Sequence, residues 1–330
     1  MTTANPNPSN ITYLPTHLCT EVTPQCPVEH SIYGYYPSIG GNAFFVGFFF
    51  MAAAFQLYAG IRYKTWTYLV AMFLGCVDQA LGYIGRAILH NNPFDSVGFE
   101  IQICCLILGP AFNSAAIYLV LKHITLCFGP EYSRIPPRWY TYIFITGDLI
   151  SLVIQAIGGG IAATSLSDEA RQAVGDHLMM AGIAFQVVTL AFFATAATWY
   201  IRRRRQAPEP LSSEAAGFLR SPKFRAFAVG FAAAFTAILI RCVYRIVEMA
   251  GGWGNEIMQN EASFIALDGC MVSFATLIQT VLHPGWCFPR LSSAYTPPPN
   301  RTSTSGMRSA PGETIEMYKE GESGFPDDHA

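Results

Sequence analysis

The stretch that decides the fold is ILIRCVYRIVEMA (Ile238–Ala250), followed after a ten-residue connection by EASFIALDGCMVSFATLIQTVLHP (Glu261–Pro284). Each is an apolar run of helical length with charges set inside it. Arg241 and Arg245 are four apart and Glu248 is seven from Arg241, so all three share one helical face. Glu261 and Asp268 are also seven apart and share a face of the next helix. At the centre of a bilayer such charges cost roughly 2.5–3.5 kcal/mol each, and they must face a partner or a wet interior. The rest of the chain should be built to supply that interior.

Composition agrees. Of 330 residues, 52% are hydrophobic and only 13% charged, against about 25% charged in soluble domains. Mean hydropathy is +0.30. The chain reads as an integral membrane protein. The net charge of −2 hides no basic domain, so no nucleic-acid partner is expected. Nine cysteines are scattered, mostly in apolar runs, where they serve as packing residues. There is no CxxC pair or metal-ligand spacing, and neither a metal nor a cofactor is expected.

Seven apolar segments are each long enough to cross about 30 Å of hydrocarbon. They lie near Ile39–Ile61, Trp66–Leu89, Ile101–Cys127, Trp139–Ala163, Leu178–Ile201, Phe224–Ala250 and Ala262–His283. The expected fold is therefore an all-α bundle of seven transmembrane helices. The first, third and fifth loops hold twelve basic residues, among them Arg62, Lys64, Lys122, Arg134, Arg138 and the run Arg202–Arg205. The opposite side holds one, Arg171. Because positive residues stay cytoplasmic, the amino terminus should lie outside and the carboxy terminus inside. Residues 1–38 are then an extracellular tail, 39–285 the membrane domain and 286–330 a disordered cytoplasmic tail. The first tail lacks the basic start and short apolar core of a secretory signal. It carries a glycosylation sequon at Asn10 and a potential disulfide pair, Cys19 and Cys26. The basic run reads as a lipid-facing anchor, and the segment 202–225 is the place for any cytoplasmic partner.

Helix two adds Asp78 and Arg86, helix three Glu100 and Gln102 before Gly109-Pro110, and helix four Asp148 and Gln155 on one face. With the inferred topology, Arg86, Glu100, Gln102, Gln155, Arg241, Arg245, Glu248, Glu261 and Asp268 fall in the outer half, and Asp78 and Asp148 lie deeper. Six acids face three bases. The expectation is a polar cavity open toward the outside, with carboxylates left for a cationic ligand.

These residues also carry a resemblance. Gly82-Tyr83-Ile84-Gly85-Arg86, then Gln102 with Pro110, Ala115-Ala116 and Tyr118, then Gly147-Asp148 with Gln155 and Gly158-Gly159, follow one another in order. Gly182 and Gln186, then Phe224-Arg225, Arg241, Tyr244-Arg245 and Glu248, then Glu261, Asp268 and His283-Pro284-Gly285 complete the series. From Tyr36 to Pro289 the chain resembles the fungal lipid-translocating exporters, the RTA-like seven-helix proteins. It departs at Asp78, where the family commonly has Glu, and at Leu267, where an aromatic is usual. The resemblance implies a plasma-membrane protein that moves or releases sphingoid long-chain bases or other toxic amphiphiles and confers tolerance to them.

A long-chain base has an ammonium head and an alkyl tail, so membrane lipids and amphiphilic small molecules are the expected partners. Asp148 and Asp268 are the candidates to receive the head group. Arg241, Arg245 and Glu248 would shape the cavity, and Glu261 with Arg86 would complete it; Asp78 and Gln155 line it. No G-x-x-x-x-G-K-[ST] loop is present, so the chain brings no P-loop ATPase. The alternative is a seven-helix lipid or stress sensor signalling through its cytoplasmic loops, because the fold alone does not decide function. A zinc hydrolase would need converging ligands. His90 and His177 fall on one side and His123 and His283 on the other, so the chain is not read as an enzyme.

Overall fold

A computed structural model describes residues 19–129, 132, 133, 136–164, 169–206, 217, 219–252 and 254–287. The residues outside these ranges include Asn10, Arg134 and the chain beyond 287. The described residues form seven helices long and apolar enough to cross a membrane. They are α1 (Ile39–Tyr63), α2 (Trp66–Asn91), α3 (Ser96–Phe128), α4 (Pro137–Thr164), α5 (Glu169–Gln206) and α6 (Pro222–Ala250), followed by α7. The last runs through three consecutive pieces, Glu261–Phe264, a wide π-type turn at Ile265–Cys270, and Met271–Val281. A short α8 (Pro284–Cys287) follows.

Local chemistry sets the helix ends. Ser38 caps α1 by accepting from the Gly41 N–H, and Asp95 caps α3 by accepting from the Gly98 N–H. Ser221 accepts from the Phe224 N–H, with Pro222 at the first turn of α6 where no donor is needed. Lys64 closes α1 in the left-handed conformation. Two helices outrun the apolar segments that mark them. α5 continues to Gln206, so Arg202–Arg205 form its last turns rather than a loop. α3 starts at Ser96, and Glu100 is exposed within it. Backbone hydrogen bonding does not stop at the hydrocarbon boundary, which is all that hydropathy marks.

The helices pack as antiparallel neighbours, α1 on α2, α2 on α3, α4 on α5 and α6 on α7. Without a hydrophobic effect between helices in lipid, close approach depends on small residues. At Gly85 a Cβ would stand 2.8 Å from both the Gln102 nitrogen and the Gly98 oxygen, and at Gly158 it would stand 2.6 Å from the Met179 nitrogen. Large apolar side chains such as Phe44, Met51, Tyr58, Val188 and Val229 point outward and are exposed, as a lipid-facing surface requires. Inside, Tyr118, Phe144, Phe193, Phe227 and Phe231 build an aromatic core. At one end of it lie most of the charges.

Candidate functional site

The α6 face and the wide turn of α7 build one buried ionic knot. Arg241 Nε donates to Asp268 Oδ1 at 2.8 Å, and Arg245 Nε donates to the same oxygen at 3.2 Å. Arg245 Nη1 reaches Glu248 Oε2 at 2.7 Å. None of the four is more than 3% exposed. In a π-type turn each N–H bonds five residues back, so the turn holds a surplus residue, and such turns recur at functional sites. Asp268 sits inside this one.

Arg241 has a second anchor. Its Nη2 donates to the Leu106 carbonyl on α3. In a regular helix that carbonyl would receive the N–H of residue 110. Residue 110 is Pro110, which has no N–H. The proline thus frees an acceptor in the core, and a guanidinium from another helix takes it.

Arg86 is fully buried and lacks a carboxylate within ion-pair distance among the described residues. Instead its guanidinium lies over three rings, Phe264 at 3.9 Å, Tyr33 at 5.0 Å and Tyr35 at 5.8 Å. Its Nη2 donates to the Tyr35 hydroxyl. Tyr33 and Tyr35 belong to the segment before α1, which folds down as a cap. Gln102 Nε2 donates to the Tyr33 hydroxyl at 2.6 Å, and Glu261 Oε1 accepts the Ser38 N–H at 2.6 Å. His90 Nδ1 lies 2.8 Å from the Pro37 carbonyl, and Asn92 Nδ2 donates to the Thr20 carbonyl at 2.9 Å. A disulfide joins Cys19 to Cys26 in this segment. Burial pushes the Tyr33 hydroxyl up to about 12, with Arg86 pulling the other way. Tyr35 is also raised by burial.

This geometry bears on four sequence expectations. The polar cluster is not open at this end, because the cap covers it. Glu261, expected to complete the cavity with Arg86, holds the cap at the rim and pairs with no arginine among the described residues. Asp268, expected to receive a cationic head, is shared by the guanidiniums of Arg241 and Arg245. Glu100 stands outside the cluster altogether.

Asp148 is different. It is 3% exposed, and its Oδ2 accepts from the Tyr118 hydroxyl at 3.0 Å. Its Oδ1 has no hydrogen-bond partner, and no basic group pairs with it among the described residues. Ser151 Oγ donates to its carbonyl, and Gln155 faces Gln186 at 3.5 Å. The Tyr118 ring is 5.5 Å from Phe144 and 4.6 Å from Phe193. Asp78 is half-buried, separate from both groups, and hydrogen-bonds Cys105. The predicted residues therefore divide into an ionic knot (Arg86, Arg241, Arg245, Glu248, Asp268, with Glu261 at its rim), a carboxylate site (Asp148, Gln155) and Asp78 by itself. Sequence reasoning missed Tyr33, Tyr35 and Phe264. The signal available was the aromatic cluster Tyr33-Gly34-Tyr35-Tyr36 in an otherwise polar tail.

A seven-helix membrane bundle with an ionic knot beneath a folded amino-terminal cap defines the class, and the family can be named. Residues 72–291 match the RTA1 like protein family, and the chain belongs to it. Among its relatives in Saccharomyces cerevisiae, the sphingoid long-chain base transporter RSB1 is 32% identical over 248 residues, 66% of this chain and 64% of that protein. Protoporphyrin uptake protein 1 is 30% identical over 205 residues, 60% of this chain and 63% of that protein. Protein RTM1 is 26% identical over 221 residues, covering 65% and 67% respectively. The chain thus spans somewhat less than two thirds of the first two relatives. No solved structure matches it.

Proposed function

We propose that this protein moves amphiphiles with a protonated amine, of the sphingoid long-chain base type, across the plasma membrane, and that Asp148 receives the amine. The observation that carries the reading is the contrast between the buried carboxylates. Asp268 and Glu248 are spent on Arg241 and Arg245. Asp148, with Oδ1 unpartnered as Asp268 Oδ2 also is, differs in that no basic group pairs with it among the described residues. An isolated buried carboxylate is costly, and a cation removes the cost. The rings of Tyr118, Phe144 and Phe193 add faces on which an ammonium is favourable. The transport named for the 32% identical relative supports the same chemistry. Movement proceeds without an ATPase of the chain's own, with the amino terminus outside, as the twelve basic residues at the helix ends and connections of one side argue. Tolerance to toxic amphiphiles follows from their removal.

The test is flux of a fluorescent long-chain base between leaflets of sealed vesicles holding purified protein. Wild type is expected to accelerate flux, and Asp148→Asn, folded and inserted to the same level, is expected to abolish it. Full flux in Asp148→Asn removes Asp148 from the mechanism. No flux with folded wild type transfers the reading to a lipid sensor with a partner at 202–225.

A further inference from the structure

Arg86 presents a problem that the transport of an amine does not solve. A guanidinium keeps its proton at every accessible pH. Arg86 is fully buried, and no carboxylate pairs with it among the described residues. Aromatic faces and one tyrosine oxygen replace part of its lost hydration, but its Nε and Nη1 have no acceptor among the described residues. Arg245 Nη2, also buried, has none either. Both guanidiniums lie near one ring, with Arg86 at 3.9 Å and Arg245 at 5.9 Å from the centre of Phe264. The buried Tyr83 hydroxyl, likewise unpartnered, lies on the same side of the bundle, beside Gly269 of the wide turn. Around this ring three buried arginines face Asp268 and Glu248, with Glu261 at the rim holding Ser38; the remaining buried carboxylate, Asp148, lies in the separate site and pairs with Tyr118. The knot therefore carries one positive charge in excess.

We infer that Arg86 and Arg245, beneath the cap formed by Tyr33 and Tyr35, are a binding site for an anionic group, a phosphate or a carboxylate. Planar guanidinium forks suit both groups through paired N–H···O bonds. Oxygens of the phosphate or carboxylate would accept from Arg86 Nε or Nη1, which lie on different edges of the guanidinium, and from Arg245 Nη2, and the added negative charge would balance the knot. The unpartnered Asp268 Oδ2 does not defeat this, because two guanidiniums already share that carboxylate's charge. The site is distinct from Asp148, so the protein would take amphiphiles by either of two heads, or by both at once when one molecule carries an amine and an acid.

The experiment uses the full chain and two probes. The first is inorganic phosphate, titrated against purified protein with ionic strength held constant by chloride. The second is a nanodisc of phosphatidylcholine with or without phosphatidic acid. Thermal unfolding reports binding in both, since a ligand of the folded state raises the melting temperature. A rise with phosphate identifies a free anion as a ligand, and a rise only with phosphatidic acid identifies a lipid head group. In either case Arg86→Gln should weaken the response by roughly tenfold or more, the size of a lost hydrogen bond between charged groups. Where that variant does not fold, Arg86→Lys decides. It keeps the charge but has no fork, and it should still weaken binding severalfold. No response to either probe in wild type, or an unchanged response in the folded Arg86 variant, overturns the inference. Neither result bears on amine flux through Asp148.

Discussion

Replacing Asp268 by asparagine tests the ionic knot most directly. The side chain keeps its shape and one acceptor oxygen but loses the charge shared by Arg241 and Arg245. Arg245 retains Glu248 at 2.7 Å. Arg241 keeps the amide oxygen and the Leu106 carbonyl but pairs with no other carboxylate among the described residues, so the loss of charge falls mainly on it. Removing one partner of a buried ion pair costs about 3–5 kcal/mol, a large share of the 5–15 kcal/mol that holds a typical fold. With about 2–4 °C lost per kcal/mol in domains of comparable size, the melting temperature should fall on the order of 10 °C. The assay is thermal unfolding of purified protein in detergent, run as a cycle with Arg241→Gln. The double variant should recover much of the loss, because it leaves no unpaired guanidinium at that position. An Asp268→Asn protein that melts like wild type, yet transports nothing, would refute this reasoning and restore Asp268 as the receiver of a cationic head. A double variant that loses the sum of the two single changes would also refute it.

Two further outcomes follow from the same geometry. Pro110→Ala supplies an N–H that recaptures the Leu106 carbonyl, so Arg241 loses its second anchor; that loss of about 1.5–3 kcal/mol offsets most of the roughly 3 kcal/mol a better helix former brings, and little net change is expected in the same unfolding assay. The cap should loosen in alkali. Tyr33 is held near 12 in the folded protein against about 10 in an unfolded chain, so its contribution is complete below pH 10 and is lost as the pH rises toward 12. Protease cleavage between residues 19 and 38 should increase across that window, and a Tyr33→Phe, Tyr35→Phe double variant should show no such rise.

The spans were legible because lipid leaves an apolar run of about 20 residues as its mark, whatever the tertiary packing. The face shared by Arg241, Arg245 and Glu248 was legible because helical periodicity is local. The pairing was not. Asp268 and Glu261 share a face by count, but one closes the knot and the other holds Ser38. The surplus residue in Ile265–Cys270 shifts that count, and nothing in the composition of the turn announces it. The cap was illegible for a different reason. Its bonds join residue 33 to 102 and residue 38 to 261, and a polar stretch shows no periodicity from which such distant partners could be read.

The wide turn in α7 also acts as a phase correction. One extra residue rotates everything before it by about 100° relative to everything after it. Upstream, Glu261 and Phe264 address the cap and Arg86. Downstream, Thr276 and Thr280 address Asn113 and Gln56 in the opposite half of the bundle. Deleting Ala266 would keep every chemical group in place while throwing the two halves of the helix out of step, so either the cap or the core could be in register, but not both.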